Sequence, residues 1–175
     1  FSVVISSKPE AFGLSRARRN GIPALAIARA DHPDERAFND AIHAALAQDP
    51  PDLLVLAGFL SRIELRGYNG RAMNTHPSLI PAFCGHGMYG HRVHEAVIAA
   101  GVKVSGATVH FADDHYDTGP IILQEAVPVL DDDTPDSLAA RVQAAERRLV
   151  PEAIRLIAAG RLSIQGRRVL VHPPA

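Results

Sequence analysis

The chain has one cysteine in 175 residues and no excess of either charge sign. Its longest apolar runs fall far short of the roughly 20 residues that a membrane-spanning helix needs. Each scarcity excludes something. A lone Cys84 rules out an internal disulfide framework and fits a reducing compartment, so a cytoplasmic setting is expected. Lys+Arg 18 against Asp+Glu 19 leaves a net charge of -1, with no basic footprint for nucleic acid and no like-charge block for a disordered tail. A Walker pattern is absent, as are repeats, linker-like stretches and low-complexity segments. The expected partners are small molecules, with no nucleic acid and no membrane; a homo-oligomer is compatible with these residues. The length suits one domain over residues 1–175, which would bury roughly 68–70% of its unfolded surface. Phe1-Ser2-Val3-Val4-Ile5-Ser6 opens in mid-strand without an initiator Met or a targeting pattern, so further residues are expected upstream.

What is present is an alternation of short β-type runs with helical patterns. Strands are predicted over 3–5, 24–28, 53–57, 104–111 and 121–129, which favours a parallel or mixed sheet. The run Leu53-Leu54-Val55-Leu56-Ala57 has no period of two and suits a central strand covered on both faces. Helices are predicted over 9–20, 33–48 and 91–100, and another starts at Thr134-Pro135, where Thr can cap free N–H groups and Pro suits the first helical position. Leu138, Val142 and Leu149 of that helix should face the core, and Pro151 should kink it or break it in two. Residues 162–171 read as a hairpin turning at Gln165-Gly166.

Chemistry concentrates in Asn74-Thr75-His76-Pro77-Ser78-Leu79-Ile80-Pro81 and in Tyr116-Asp117-Thr118-Gly119-Pro120. In an extended segment Ala72, Asn74 and His76 point one way while Met73 and Thr75 point the other. Pro77 disfavours the helical region for His76, so the strand should end there, at the sheet edge where α/β proteins hold ligands. Asp117 follows a later strand, and Gly119-Pro120 should turn the chain so that Asp117 leans on His76. A carboxylate beside an imidazole fixes the ring and supports its protonated form. Amide, imidazole and carboxylate together can stabilise an oxyanion and move protons without a metal, which points to acyl or formyl transfer. Taken singly, Asn74 reads more readily as a turn cap and His76 as a hydrogen-bonded, half-buried histidine, and Asp-x-Gly is an ordinary turn; the joint pattern carries the reading.

Other groups fare worse. His86, His91 and His94 crowd together, yet Ile98 stands where the second His of a zinc helix belongs, and no metal is expected. Cys84 beside His86 is more simply a packed thiol than a nucleophile. Asp131-Asp132-Asp133 lacks the Gly and closing Glu of a calcium loop and reads as a turn before the helix.

At these residues the chain resembles the folate-dependent formyltransferases, and most closely their phosphoribosylglycinamide branch in purine synthesis. The likeness runs from Ser6-Ser7-Lys8 and Ala11-Phe12-Gly13-Leu14 through Pro51-Asp52, residues 56–60, 74–81, Val109-His110-Phe111 and 117–124. It continues to Arg141-Val142-Gln143, Glu146, Pro151 and Gly160-Arg161-Leu162. It implies a Rossmann-like formyltransferase fold, a mostly parallel sheet covered by helices on both faces, with the N-terminal strand and its Gly/Ser/Asn phosphate loop missing ahead of Phe1. It implies transfer of formyl from 10-formyltetrahydrofolate, the co-substrate, to the amine of glycinamide ribonucleotide. Asn74 would stabilise the oxyanion, His76 would be the acid and base, and Asp117 would support His76. Leu60, Ser61, Arg62 and Ile63, together with Asn74 and Asp113, Asp114, His115, Tyr116 and Asp117, would bind folate. Gln143 and Glu146, one helical turn apart, would bind the ribonucleotide. His110 is either a supporting member of the site or a plain strand residue. Alternatives are a formyltetrahydrofolate hydrolase, which lets water attack, or a non-catalytic folate- or nucleotide-binding module if the phosphate loop is absent. A tRNA-directed formyltransferase fits less well, since a basic tRNA-binding domain is missing.

Overall fold

The computed structural model describes residues 1–113 and 115–174, so Asp114 of the expected folate loop lies outside the described residues. The chain forms two compact units, Phe1–Leu54 with Phe59–Arg66, and Val55–Gly58 with Gly67–Ala175.

In the first unit, β1 (Val4–Ser6) and β2 (Ala24–Ala26) pair in parallel, with α1 (Phe12–Arg19) between them in the chain and packed on both. Leu14 and Ala17 are the buried stripe of α1, and Arg16, Arg18 and Arg19 place positive charge at its negative end. The helix closes as its Gly predicts: Gly21 takes φ 69°, and the Ile22 N–H reaches back to the Ala17 carbonyl at 3.0 Å. After a short 3-10 turn, α2 (Glu35–Leu46) starts on Asp34, whose carboxylate accepts from the Ala37 N–H at 2.7 Å. It buries Phe38, Asn39, Ile42 and Leu46. Asn39 is fully buried and satisfied, donating to the Glu35 and Arg62 carbonyls and accepting from the Glu64 N–H at 2.8 Å. That side chain pins the backbone of residues 62–64.

The second unit carries a six-stranded sheet, ordered β3-β4-β5-β6-β8-β7. Its strands are β3 (Leu54–Leu56), β4 (Ala72–His76), β5 (Val104–Phe111), β6 (Ile121–Pro128), β7 (Leu162–Gln165) and β8 (Arg168–Val171). The class is α/β, as expected, and the sheet is mixed. β6 and β8 run parallel, while β4–β5, β5–β6 and β7–β8 are antiparallel. β5 is the best-covered strand, buried from Ser105 through Phe111. The strand predicted at 53–57 forms over Leu54–Leu56 and stands first in this order, beside β4, with Leu54 buried. An apolar run reports side-chain character, whereas sheet position depends on partners from elsewhere in the chain.

The remaining helices are α3 (His91–Ala99) and α4 (Pro135–Ala158); α4 packs on β5 and β6, with α3 against α4. Thr134 and Ser137 form a reciprocal capping box, with Pro135 in the first turn. Asp133 lies just before it, its side chain 3% exposed and gripped by the Arg141 guanidinium at 2.6 and 3.0 Å. Hydrogen bonds from Arg141, Ser137 and the Leu130 N–H hold its carboxyl well below the usual carboxylate range. Of the kink or break expected at Pro151, the break does not occur: α4 runs continuously for 24 residues. Proline removes one backbone donor there, but Leu149, Ala153 and Leu156 remain buried on either side. Each fully buried leucine is worth roughly 1.5–3 kcal/mol, enough to offset a local defect. The C-terminal hairpin forms as predicted, with Gly166 at φ 61°.

Two glycines should respond in opposite directions. At Gly106 an added Cβ would sit 2.1 Å from the Glu125 carbonyl oxygen, while at Gly13 it would meet nothing within 4 Å. Gly106→Ala should lower stability by about 3 kcal/mol or more, and Gly13→Ala on exposed α1 should raise it by about 0.5 kcal/mol. Urea unfolding of the two variants measures both.

Candidate active site

β4 carries Asn74 and His76 on one face, and antiparallel pairing sets Asn74 opposite His110 of β5. Both imidazoles are almost fully buried. Asp117 arrives from the loop after β5 with its side chain 10% exposed. Its Oδ2 lies 3.5 Å from His76 Nδ1, and its Oδ1 lies 3.6 Å from His110 Nε2 and 3.5 Å from the Asn74 amide nitrogen. The structure therefore brings the three predicted residues together and adds His110 as a fourth. Burial by itself would raise the Asp117 carboxyl, but bonding from His110 and the Gly85 N–H and the charge of both histidines bring it below its ordinary range.

The ring protons follow from the acceptors. His76 Nε2 lies 2.8 Å from the Phe83 carbonyl, and His110 Nδ1 lies 2.8 Å from the Phe111 carbonyl. A carbonyl only accepts, so each of these nitrogens carries hydrogen and donates it. The other nitrogen of each ring faces Asp117. Asn74 has its amide nitrogen 3.5 Å from both His110 Nε2 and Asp117 Oδ1, long contacts that leave its N–H largely unspent. A weakly engaged donor beside a fixed imidazole is the equipment for charge that grows on a bound oxygen.

Loop backbone holds this arrangement. Phe83 and Asp117 take positive φ, 51° and 57°. The left-handed conformation costs a residue such as Phe roughly 1–2 kcal/mol, whereas Asp tolerates it better. At Phe83 the cost is offset where its carbonyl accepts from His76, and two residues on the Gly85 N–H donates to Asp117 Oδ2 at 3.0 Å. Gly119 is required by closeness: an added Cβ would lie 1.8 Å from the Phe111 carbonyl oxygen. Beneath the loop, the Thr108 hydroxyl donates to the Ser78 carbonyl, accepts from the Ile80 N–H and from Gln124, and Gln124 also reaches the Ile80 carbonyl. Cys84 donates to the Pro81 carbonyl at 3.2 Å, and burial raises its thiol, which describes a packed side chain.

The other predicted residues fall as follows. Asp113 turns into its own loop, accepting from the His115 N–H and the Thr118 hydroxyl, while His115 and Tyr116 are exposed. Tyr116 has its ring 5.9 Å from that of His86. Leu60, Ser61, Arg62 and Ile63 belong to the first unit; Leu60 and Arg62 are exposed, and Arg62 faces Glu35 at 3.9 Å. Gln143 is exposed without a hydrogen-bond partner among the described residues, whereas Glu146 is half-buried and accepts from the Thr75 hydroxyl at 3.0 Å. Burial raises the Glu146 carboxyl, against the opposing pull of Thr75, His76 and Arg147. His91 faces Glu95 and Asp136, and His94 is buried on α3 with Nδ1 unpartnered among the described residues. Sequence reasoning missed Asn39, Ser78 and Thr108, each a polar residue at a fully buried position. Asn39 left a signal, standing at a core position of the α2 pattern beside Phe38 and ahead of Ile42.

Fold and site together define an α/β domain with an acid–base cluster at the end of an internal strand. A family profile described as formyl transferase matches residues 1–154, and the chain belongs to that family. A phosphoribosylglycinamide formyltransferase of Mycobacterium tuberculosis is 43% identical over 159 residues, 86% of this chain and 72% of that protein. A chloroplastic phosphoribosylglycinamide formyltransferase of Vigna unguiculata is 42% identical over 92% of this chain, which spans about half (53%) of that protein's length. Glycinamide ribonucleotide transformylase 1 of Symbiobacterium toebii superposes with a TM-score of 0.92 at 45% identity, over 98% of this chain and 80% of that one. A formyltetrahydrofolate deformylase of Pseudomonas syringae, 22% identical with a TM-score of 0.87, shares the fold. No helix among the described residues is long and apolar enough to cross a membrane.

The depressed Asp117 carboxyl has a directional consequence. Its contribution to stability is complete above the ordinary aspartate value of about 3.9 and is lost as pH falls through the lower folded value. His110→Leu removes a bond that lowers this value, so the Asp117 midpoint should move upward. A carboxyl-carbon NMR titration of wild type and variant reads the shift.

Proposed function

We propose that residues 1–175 are part of a formyltransferase domain that moves a formyl group from 10-formyltetrahydrofolate to the amine of glycinamide ribonucleotide. The observation that carries the reading is the strand end itself, where an Asn74 amide with an unspent N–H stands beside His76, whose nitrogens face the Phe83 carbonyl and Asp117. The family profile crosses both compact units, which supports one functional domain, and the names of the relatives above support the acceptor, while the folate donor rests on the resemblance of the motifs. The lone cysteine favours a cytoplasmic setting.

In this reading the amine nitrogen forms a bond to the formyl carbon as the bond from that carbon to the folate nitrogen breaks. Negative charge grows on the formyl oxygen, and Asn74 donates to it. The amine must lose a proton and the departing folate nitrogen must gain one. His76 moves that proton: as the imidazolium it gives its Nε2 hydrogen to the departing folate nitrogen when the substrate replaces the Phe83 carbonyl, and the same nitrogen then takes the proton that the amine releases. Asp117 balances the charge on the ring during the transfer, and His110 holds the far side of Asp117. Leu60, Ser61, Arg62 and Ile63 are folate contacts in the first unit; in the second, Asn74 and residues 113–117 are folate contacts, and Gln143 and Glu146 bind the ribonucleotide. No covalent bond to the protein is needed.

Asn74→Ala should lower kcat by about 10²–10³-fold. His76→Ala should lower it by about 10²–10⁴-fold with little change in folate affinity. Both are measured in steady-state assays with the two substrates. Unchanged turnover in His76→Ala would remove the assignment, and formate release without any acceptor amine would replace transfer by hydrolysis.

A further inference from the structure

Thr75 lies between the two site residues of β4, and strand alternation turns it away from Asn74 and His76. Its hydroxyl donates to Glu146 Oε1 at 3.0 Å, so the carboxylate on α4 is tied to the strand that carries the candidate catalytic groups. Glu146 Oε2 takes no hydrogen bond among the described residues. Glu146 is half-buried between Ala145, which is fully buried, and the exposed Arg147. The charged groups acting on it are His76 from β4 and Arg147 from its own helix. A threonine side chain is stiff about its first torsion, so little freedom is lost in holding this bond.

We propose that Thr75 is a positioning residue: its hydroxyl orients Glu146 as a carboxylate and leaves Oε2 free to accept from a hydroxyl or amine of the acceptor substrate. The proposal rests on the function proposed above, from which Glu146 takes its ligand. It adds the device that aims Glu146, and it couples acceptor binding to β4. Thr75 touches no reacting atom, so its removal should act on binding of the acceptor and not on the chemical step.

The test compares Thr75→Val, which keeps the shape and loses the donor, with Thr75→Ser, which keeps the donor. Thr75→Val should raise KM for glycinamide ribonucleotide about tenfold, as expected for a lost bond to a charged group. It should leave kcat and the folate KM nearly unchanged. The hydroxyl lowers the Glu146 carboxyl, so its loss should move the acidic limb of kcat/KM for the ribonucleotide to higher pH. Thr75→Ser should restore both. Calorimetric binding of glycinamide ribonucleotide alone separates the two readings: weakened binding to Thr75→Val supports the positioning role even if the wild type transfers no formyl group. Wild-type affinity and an unmoved pH limb in Thr75→Val would overturn the proposal, leaving the bond as a clamp between strand and helix. Failure of the wild type to bind the ribonucleotide would overturn it too. Should Thr75→Val not fold, Thr75→Ala is measured in the same two ways.

Discussion

The Asp117 carboxylate, nine-tenths removed from solvent between two imidazoles, is the constraint around which this strand end is organised. A carboxylate that deep in protein must be compensated. Asn74, His76, His110 and the Gly85 N–H surround it, and they come from three stretches of backbone: β4, β5 and the loop at Gly85. The left-handed backbone at Phe83 and at Asp117, and the close passage of Gly119 over Phe111, become intelligible as ways of bringing those groups within reach. Local conformations that are unfavourable in isolation persist because the surrounding bonds over-determine them.

Below that layer the polar residues are satisfied by one another. Thr108 sits at the crossing of Ser78, Ile80 and Gln124, joining β5, β6 and the loop after β4 through buried hydrogen bonds. Such a network holds the loop because any partner that leaves strands another without one. Thr75 extends the same logic to α4 through Glu146, whose buried charge is partly balanced by the hydroxyl and by His76. The site is thus bound to two strands and a helix rather than to a loop alone.

Asn74, His76 and Asp117 were legible in the chain because their types and spacing carry the chemistry, and alternation along an extended segment already set Asn74 and His76 on one face. The capping residues Asp34 and Thr134 and the hairpin at Gly166 were legible for a similar reason, since their signals are local. His110 stayed ambiguous because a histidine in a strand has no pattern of its own. Only the register of β4 against β5 sets it opposite Asn74. Asn39 and Thr108 left weaker traces, because a buried polar side chain is justified by partners far away in sequence.

By itself, then, the sequence determined the α/β alternation, the helix ends, the catalytic candidates and the family they resemble. Those features depend on residues within a few positions of one another, or on residue types whose chemistry is unmistakable in combination. Tertiary structure alone decided the continuity of α4 through Pro151, the second imidazole on Asp117 and the hold of Thr75 on Glu146. Each of these is settled by packing or pairing between distant segments, where burial outweighs local propensity and a hydrogen bond exists only if both partners arrive.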